Sequence, residues 1–582
     1  MAAPTHNQLM APPRPSEVRE FLRANRWVFF AVAVFSFVGN FSILVLPFYM
    51  MQVFTRVLSS RSLETLVMLS IIVVFLLLVF NLIDLMRNWT MQRVSEHLDN
   101  QLATRVFTAV YERSLQVPGG GHAQALRDLA SVRQFLTSAT LTTLLDAPWT
   151  PLFLLLIFFF DPLMGYIALF GALVLLLLAV LNELVTRGGY AAMSDEQANA
   201  SNFAEAGLRN AEAIRAMGMY AGMLERWQHR LEAVNGGQRR VQQWSNAITT
   251  FAKFFRILLQ IAVMSVGVML AIDNHLHPGV MIAATILLGR ALAPVQVAVA
   301  QWRQFAMARQ AFVRLDKLLR QNPPREASMP LSAPTGALHV DNITVLAPVT
   351  QVPLLQRVQF RLEPGAALGI IGPSGAGKTT LARALLGIWR PASGSVRLDG
   401  IEIAAWSPAE LGPYLGYLPQ DVELLDGSVA ENIARFRDID PAEVERAARR
   451  VGIHDMIARL PEGYDTQIGE GGAVLSAGQR QRIGLARAIY RDPVFIVLDE
   501  PNASLDTEGE VALSRLFAEL KDSGTTLVVI AHRPTVLHNM DSLLMLKNGT
   551  MGDFGSRQQV LKRFTQPPKR LEQPHGVDIK TR

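Results

Sequence analysis

Six blocks of apolar residues, all before residue 320, constrain this chain more than anything else in it. They run Trp27 to Met51, Leu63 to Leu85, Leu144 to Phe160, Leu163 to Leu181, Phe254 to Ile272 and Val280 to Val299. A helix crosses the ~30 Å hydrocarbon core of a bilayer in about 20 residues, and each block matches that length. A buried soluble helix imitates one such block, but not six together. The third and fourth are separated only by Asp161-Pro162. Pro47 and Pro294 are expected to kink their helices. The first block is too long for a cleavable signal peptide and is followed by further spans, so no such signal is expected.

The arginines give the topology. Arg14, Arg19, Arg23 and Arg26 precede the first span; Arg87, Arg93, Arg105, Arg113, Arg127 and Arg133 fall between the second and third. Arg187, Arg209, Arg215, Arg226, Arg230, Arg239 and Arg240 fall between the fourth and fifth. The opposite loops are short and nearly free of cations, only Arg56 and Arg61 breaking the pattern, so both termini are expected in the cytoplasm. The long inner segments Met86 to Thr140 and Asn182 to Ala252 read as helical arms. A 30-residue arm reaches roughly 45 Å beyond the membrane. Pro118-Gly119-Gly120-Gly121 and the neighbourhood of Met217-Gly218-Met219 mark their reversals. Asp84 and Lys253, near span ends, read as solvated. Arg290, inside the last span, either lines a polar path or snorkels to the cytoplasmic surface.

After residue 337 the chemistry changes. Gly372, Pro373, Ser374, Gly375, Ala376, Gly377, Lys378, Thr379 and Thr380 form a Gly-x4-Gly-Lys-Thr loop between an apolar strand, Ala367 to Ile371, and a helix. Its glycines turn backbone N–H groups inward as an anion nest at a helix N-terminus, Lys378 reaches outer phosphates, and Thr379 offers a hydroxyl to Mg2+. A glycine turn beside an exposed lysine is the plain alternative. Val494 to Leu498 is a second buried strand, ending in Asp499-Glu500 at the edge where open α/β sheets bind ligands. Asp499 is placed to hold Mg2+ through water, and Glu500 to polarise the attacking water. A third strand, Thr525 to Ala531, leads to His532, suited to bonding a terminal phosphate.

Residues Ala337 to about Phe564 resemble the ATPase domain of ABC transporters. Gln420 resembles the Q-loop glutamine, and Leu475 to Gln479 the signature motif. The resemblance implies catalysis by Glu500, His532, Lys378 and Gln420, with Thr379, Gln420 and Asp499 organising Mg2+. It also implies that Ser476, Gly478 and Gln479 contact ATP held by a second copy, so that two composite sites close head to tail. Two departures stand out. Ala477 replaces the usual glycine where backbone approaches phosphate. Ala347 occupies the place of the usual adenine-stacking aromatic, a contact worth about 1 to 3 kcal/mol.

The membrane half narrows the resemblance. Ala125 to Leu129, Phe135-Leu136, Asp146-Ala147-Pro148-Trp149, Ala213 to Met219 and Leu287 to Gln304 look like the type I secretion ABC exporters of Gram-negative bacteria, the protease-exporter group above all. This implies an α-helical six-span membrane domain followed by an α/β P-loop ATPase domain, acting as a homodimer in the inner membrane. It further implies a secreted cargo with an uncleaved C-terminal signal (a protease or Ca-binding repeat protein), a membrane fusion protein and a TolC-like outer membrane channel. The domains expected are a disordered N-terminus over 1–20, a membrane domain over 21–320, a linker over 321–336, the ATPase over 337–564 and a disordered tail over 565–582. With no cysteine in the chain there is no disulfide and no thiol peptidase of the kind bacteriocin exporters carry. The net charge of +6, clustered on the cytoplasmic arms, favours membrane lipids over nucleic acid. A lipid or small-molecule exporter and a non-transporting regulatory ATPase are the alternatives.

Overall fold

The computed structural model describes residues 16–116, 124–273, 275–324, 331–348, 350–472, 474–531 and 533–565. The chain divides into two compact units near residues 324 and 325. In the first, six helices among the described residues are long and apolar enough to cross a membrane: Arg26–Ser60, Leu63–Gln116, Thr140–Phe160, Pro162–Thr186, Tyr220–Ile272 and Pro278–Ala300. Each contains one of the six apolar blocks.

Local sequence explains the boundaries. Leu63–Gln116 runs 54 residues as one helix because it holds neither glycine nor proline. Asp161 ends one span and caps the next, its carboxylate accepting from the N–H groups of Leu163 and Met164. The second reversal falls where it was expected: a short helix Ala211–Ala216 stops, Gly218 takes φ +65°, and Tyr220–Ile272 begins. The first reversal, Pro118 to Gly121, lies outside the described residues.

Two expectations need correcting. Residues 17–20 are not disordered. They open the helix Glu17–Ala24, capped by the Ser16 hydroxyl accepting from Arg19 N–H, with Val18 and Phe21 packed in a core with Leu98, Leu102 and Leu315. Asp84 is not simply solvated. It takes the Arg87 guanidinium at 2.5 Å, and Arg87 also reaches Asp146 at 3.4 Å, which accepts from Asn40 at 2.7 Å. Polar groups thereby tie together the helices that carry three of the spans. Lys253 and Arg290 are exposed. Buried Asp128 accepts from Nε and Nη2 of Arg314 at 2.8 and 2.7 Å, fastening Gln124–Leu136 to Trp302–Gln321.

The second unit holds two sheets. Strands β1 (Leu338–Leu346), β2 (Pro353–Leu362), β4 (Ser393–Leu398) and β5 (Ile401–Glu402) form an antiparallel sheet in the order β2-β1-β4-β5. The larger sheet runs β10-β9-β3-β8-β7-β6, from β3 (Ala367–Ile371), β6 (Leu415–Leu418), β7 (Phe495–Asp499), β8 (Thr526–Ile530), β9 (Ser542–Lys547) and β10 (Thr550–Ser556). All its neighbours pair parallel except β9 and β10. Every residue of β3, β7 and β8 is buried, as parallel strands covered on both faces require. One core fills the space between the two sheets around the helix Lys378–Leu385, and another lies against the helices Pro441–Val451 and Ala477–Ile489.

Candidate nucleotide-binding site

The register of the larger sheet brings the expected residues together. Ile370 of β3 and Asp499 of β7 both pair with Ile530 of β8, and Leu418 of β6 pairs with Leu498. The phosphate loop after β3, the Asp-Glu pair at the end of β7 and Gln420 after β6 therefore emerge at one edge, the C-terminal edge of the parallel strands.

In the loop, Gly375 and Gly377 take φ +77° and +98°, conformations that L side chains rarely adopt. Gly377 leads directly into the helix Lys378–Leu385, whose free N–H groups and positive dipole end face the loop. Lys378 is only 7% exposed, and its ammonium donates to the carbonyls of Gly372 and Pro373, each at 3.0 Å. Burial pulls its pKa down, while Glu500 and Asp499 pull it up. Pro373, Ser374 and Gly375 are exposed at the rim, and Thr379 and Thr380 half-buried behind it.

Asp499 is 1% exposed and accepts from the Thr379 hydroxyl. Burial pushes its pKa up, the Thr379 bond and the Lys378 charge opposing. Its Oδ2 is buried without a hydrogen-bond partner. A carboxylate oxygen left open beside a hydroxyl is a set of hard oxygen donors, which fits Mg2+. Glu500 follows at φ +51°, a left-handed conformation costly for a residue with a side chain. Its N–H donates to Ile530 O at 3.0 Å, and Ala503 N–H donates to its carbonyl at 3.1 Å. The turn that aims its carboxylate is thus held from several sides.

Gln420 is exposed beyond the end of β6. Ser476 and Gln479 close a capping box at the start of Ala477–Ile489: Gln479 N–H donates to Ser476 Oγ at 3.3 Å, and Ser476 N–H to Gln479 Oε1 at 2.8 Å. Ser476 and Ala477 face solvent. Gly478 meets a constraint that the motif did not suggest, since a Cβ there would lie 2.8 Å from the Ser504 carbonyl oxygen. Ala347 sits at the turn after β1, its N–H donating to Val352 O at 2.8 Å. His532 lies outside the described residues.

Two side chains escaped the sequence reading. Arg435 donates to the carbonyls of Arg487, Gly412, Leu415 and Ala488 at 2.8 to 3.0 Å, joining the start of β6 to the end of the helix Ala477–Ile489. Burial lowers its pKa to about 10, which leaves it charged at neutral pH. Gln481, in the same helix, reaches the Glu500 turn. A spacing of Gly478, Gln481 and Arg482 on one helix face was the signal available for it.

A phosphate loop and an acid-tipped strand, in a chain with six membrane-spanning helices, define an ABC transporter. The ABC transporter family model matches residues 355–503, and that of the ABC transporter transmembrane region residues 29–294. More narrowly, the chain belongs to the ATP-binding exporters of type I secretion systems. It is 40% identical over 560 residues to the type I secretion system ATP-binding protein PrsD of Rhizobium meliloti (strain 1021), covering 96% of both chains. It is 28% identical over 538 residues to the cyclolysin secretion/processing ATP-binding protein CyaB of Bordetella pertussis (strain Tohama I), covering 91% of this chain and 75% of that one. The leukotoxin translocation ATP-binding protein LktB of Mannheimia haemolytica is 28% identical over 554 residues, 92% of this chain and 77% of its own length. A bacterial Atm1-family ABC exporter solved with ATP bound shares the fold, with TM-score 0.77 at 24% identity over 93% of this chain and 96% of that one. The protein is therefore a multi-pass membrane ATPase that couples ATP hydrolysis to protein export.

Proposed function

We propose that two copies of this chain form one translocator in the bacterial inner membrane, both termini cytoplasmic, passing a polypeptide with an uncleaved C-terminal signal to a membrane fusion protein and a TolC-like channel. The names of the relatives that secrete cyclolysin and translocate leukotoxin support a polypeptide cargo. The observation that carries the catalytic part is the convergence of Lys378, Thr379, Asp499 and Glu500 at one sheet edge. The membrane domain spans 21–320 and the ATPase 337–564, joined by a linker over 321–336.

In this reading ATP displaces the Gly372 and Pro373 carbonyls from the Lys378 ammonium, which turns to the outer phosphates. The backbone N–H groups of residues 374 to 380 wrap the remaining phosphate oxygens. Thr379, Asp499 and Gln420 would hold Mg2+, which when bound neutralises charge on the phosphates. Glu500 accepts a hydrogen bond from water and aligns it with the terminal phosphorus. His532 donates to the terminal phosphate. Ser476, Gly478 and Gln479 of one copy cover the nucleotide of the other, so hydrolysis requires the dimer. Glu500→Gln in purified full-length protein tests the reading. ATP binding is retained while turnover falls by about 10² to 10⁴, the usual contribution of a positioned base. Turnover at the unaltered rate removes Glu500 from this role.

A further inference from the structure

The helix that presents the signature motif is bonded to the turn that aims Glu500. Gln481 is 5% exposed, and both ends of its amide are used. Its Nε2 donates to the Glu500 carbonyl at 3.0 Å, and its Oε1 accepts from Ser504 N–H at 2.7 Å. On either side, Gly478 lies under the Ser504 carbonyl, and Arg482 pairs with Asp506 at 2.6 Å. Three neighbouring positions on one helix face thus touch residues 500–506, and Gln481 alone among them reaches Glu500.

From this geometry we propose that Gln481 is a positioning residue for hydrolysis: its amide bridges the Glu500 and Ser504 backbones and holds the Glu500 turn in the conformation that aims the carboxylate. The need for such a clamp is physical. Glu500 occupies a left-handed backbone conformation that a residue with a Cβ leaves unless its surroundings hold it. The Gln481 bond fixes the carbonyl end of that residue while the bond to Ile530 fixes its amide end. Ser476 stands at the N-terminus of the same helix, five residues before Gln481, and Ser476 is the residue proposed to touch nucleotide on the other copy. A shift of this helix on closure is therefore passed through one amide to the base of its own copy. Each site then receives a mechanical report of whether the opposite site is filled.

This inference rests on Glu500 being the base, and the test separates the two. Four full-length proteins are compared for Mg-ATPase kcat and KM: wild type, Gln481→Met, Glu500→Gln and the double variant, with melting temperature and binding of a fluorescent ATP analogue measured for each. Methionine keeps the length of the side chain and removes both hydrogen bonds. Expected is a kcat lower by about 10- to 100-fold in Gln481→Met, the scale on which a misplaced catalytic group acts. KM for ATP and analogue binding stay within about twofold, a split that a general loosening of the fold does not give. In the Glu500→Gln background Gln481→Met produces no further loss, because the group it positions is gone. An unchanged kcat in Gln481→Met, or an equal loss in both backgrounds, overturns the inference while leaving Glu500 in place. Full activity of Glu500→Gln instead sinks the assignment of the base. Where Gln481→Met fails to fold, Gln481→Asn, one methylene short of the Glu500 carbonyl, is put through the same comparison and judged by the same outcomes.

Discussion

Replacing Arg435 by methionine isolates the contribution of one buried cation to the ATPase unit. Among the described residues the guanidinium meets four carbonyls and no carboxylate, so what is lost is hydrogen bonding rather than an ion pair. Two of those carbonyls, of Arg487 and Ala488, belong to the last turn of Ala477–Ile489, where no intrahelical donor exists. An orphaned buried acceptor costs about 1 to 3 kcal/mol. Taking about 1 kcal/mol for each of the four, because water can enter a half-buried site, gives roughly 4 kcal/mol. For a unit of this size each kcal/mol moves the melting point by about 2 to 4 °C, so a fall of about 8 to 16 °C is expected. The assay is thermal unfolding of the detergent-purified, nucleotide-free protein, with hydrogen exchange read at Leu415–Leu418 and Ala477–Ile489. Arg435→Lys, with one charged group in place of a fork, recovers about half of the loss. A shift below about 2 °C for Arg435→Met, or exchange unchanged in both segments, would show that these four bonds do not hold β6 to the helix.

Three further outcomes are expected. Gly478→Ala ordinarily favours a helix, but here its Cβ presses on the Ser504 carbonyl, so stability falls by about 1 to 3 kcal/mol and ATPase activity with it; a raised melting point would contradict the close approach. For Asp399, burial works to raise the pKa but is outweighed by hydrogen bonds from the Thr335 hydroxyl and the backbone N–H groups of Thr335, Gly336 and Ala337, which hold it below the usual carboxylate range. The stabilisation is then fully present above pH 3.8 and lost as pH falls through the lower folded-state value, so urea titrations should show an acid-side slope that Asp399→Asn flattens. Asp128→Asn loosens the helices Gln124–Leu136 and Trp302–Gln321 by about 2 kcal/mol, below the usual cost of breaking a buried pair because Arg314 reaches solvent; limited proteolysis of these helices measures it, and an unchanged cleavage rate would dismiss it.

The six spans were legible because lipid demands an unbroken apolar run, a pattern no soluble element repeats six times. Lys378, Thr379, Asp499 and Glu500 were legible because phosphate chemistry fixes residue types at short spacings beside apolar strands. Harder to see was anything set by contacts between distant segments. Glu17–Ala24 was hidden by the proline-rich residues before it, although Val18 and Phe21 are spaced as one face of a helix. Asp84 read as solvated because its environment, Arg87 drawn toward Asp146 of another span, exists only after packing. Gln481 lies just past the residues that define the signature, where a polar side chain on a helix ordinarily faces water. Arg435 binds four backbone carbonyls, and no sequence pattern announces which backbone a guanidinium will meet.

The uninterrupted helix Leu63–Gln116 has a mechanical consequence. At about 1.5 Å per residue it is a lever of roughly 81 Å, and tilting it by about 5° swings its far end by about 7 Å. Two other long helices are built otherwise: Pro162–Arg209 carries Gly188-Gly189 and Tyr220–Ile272 carries Gly236-Gly237, adjacent glycines that soften a helix locally. One shaft is stiff over its whole length while two others have compliant joints, so strain applied at their ends will bend the second kind and rotate the first.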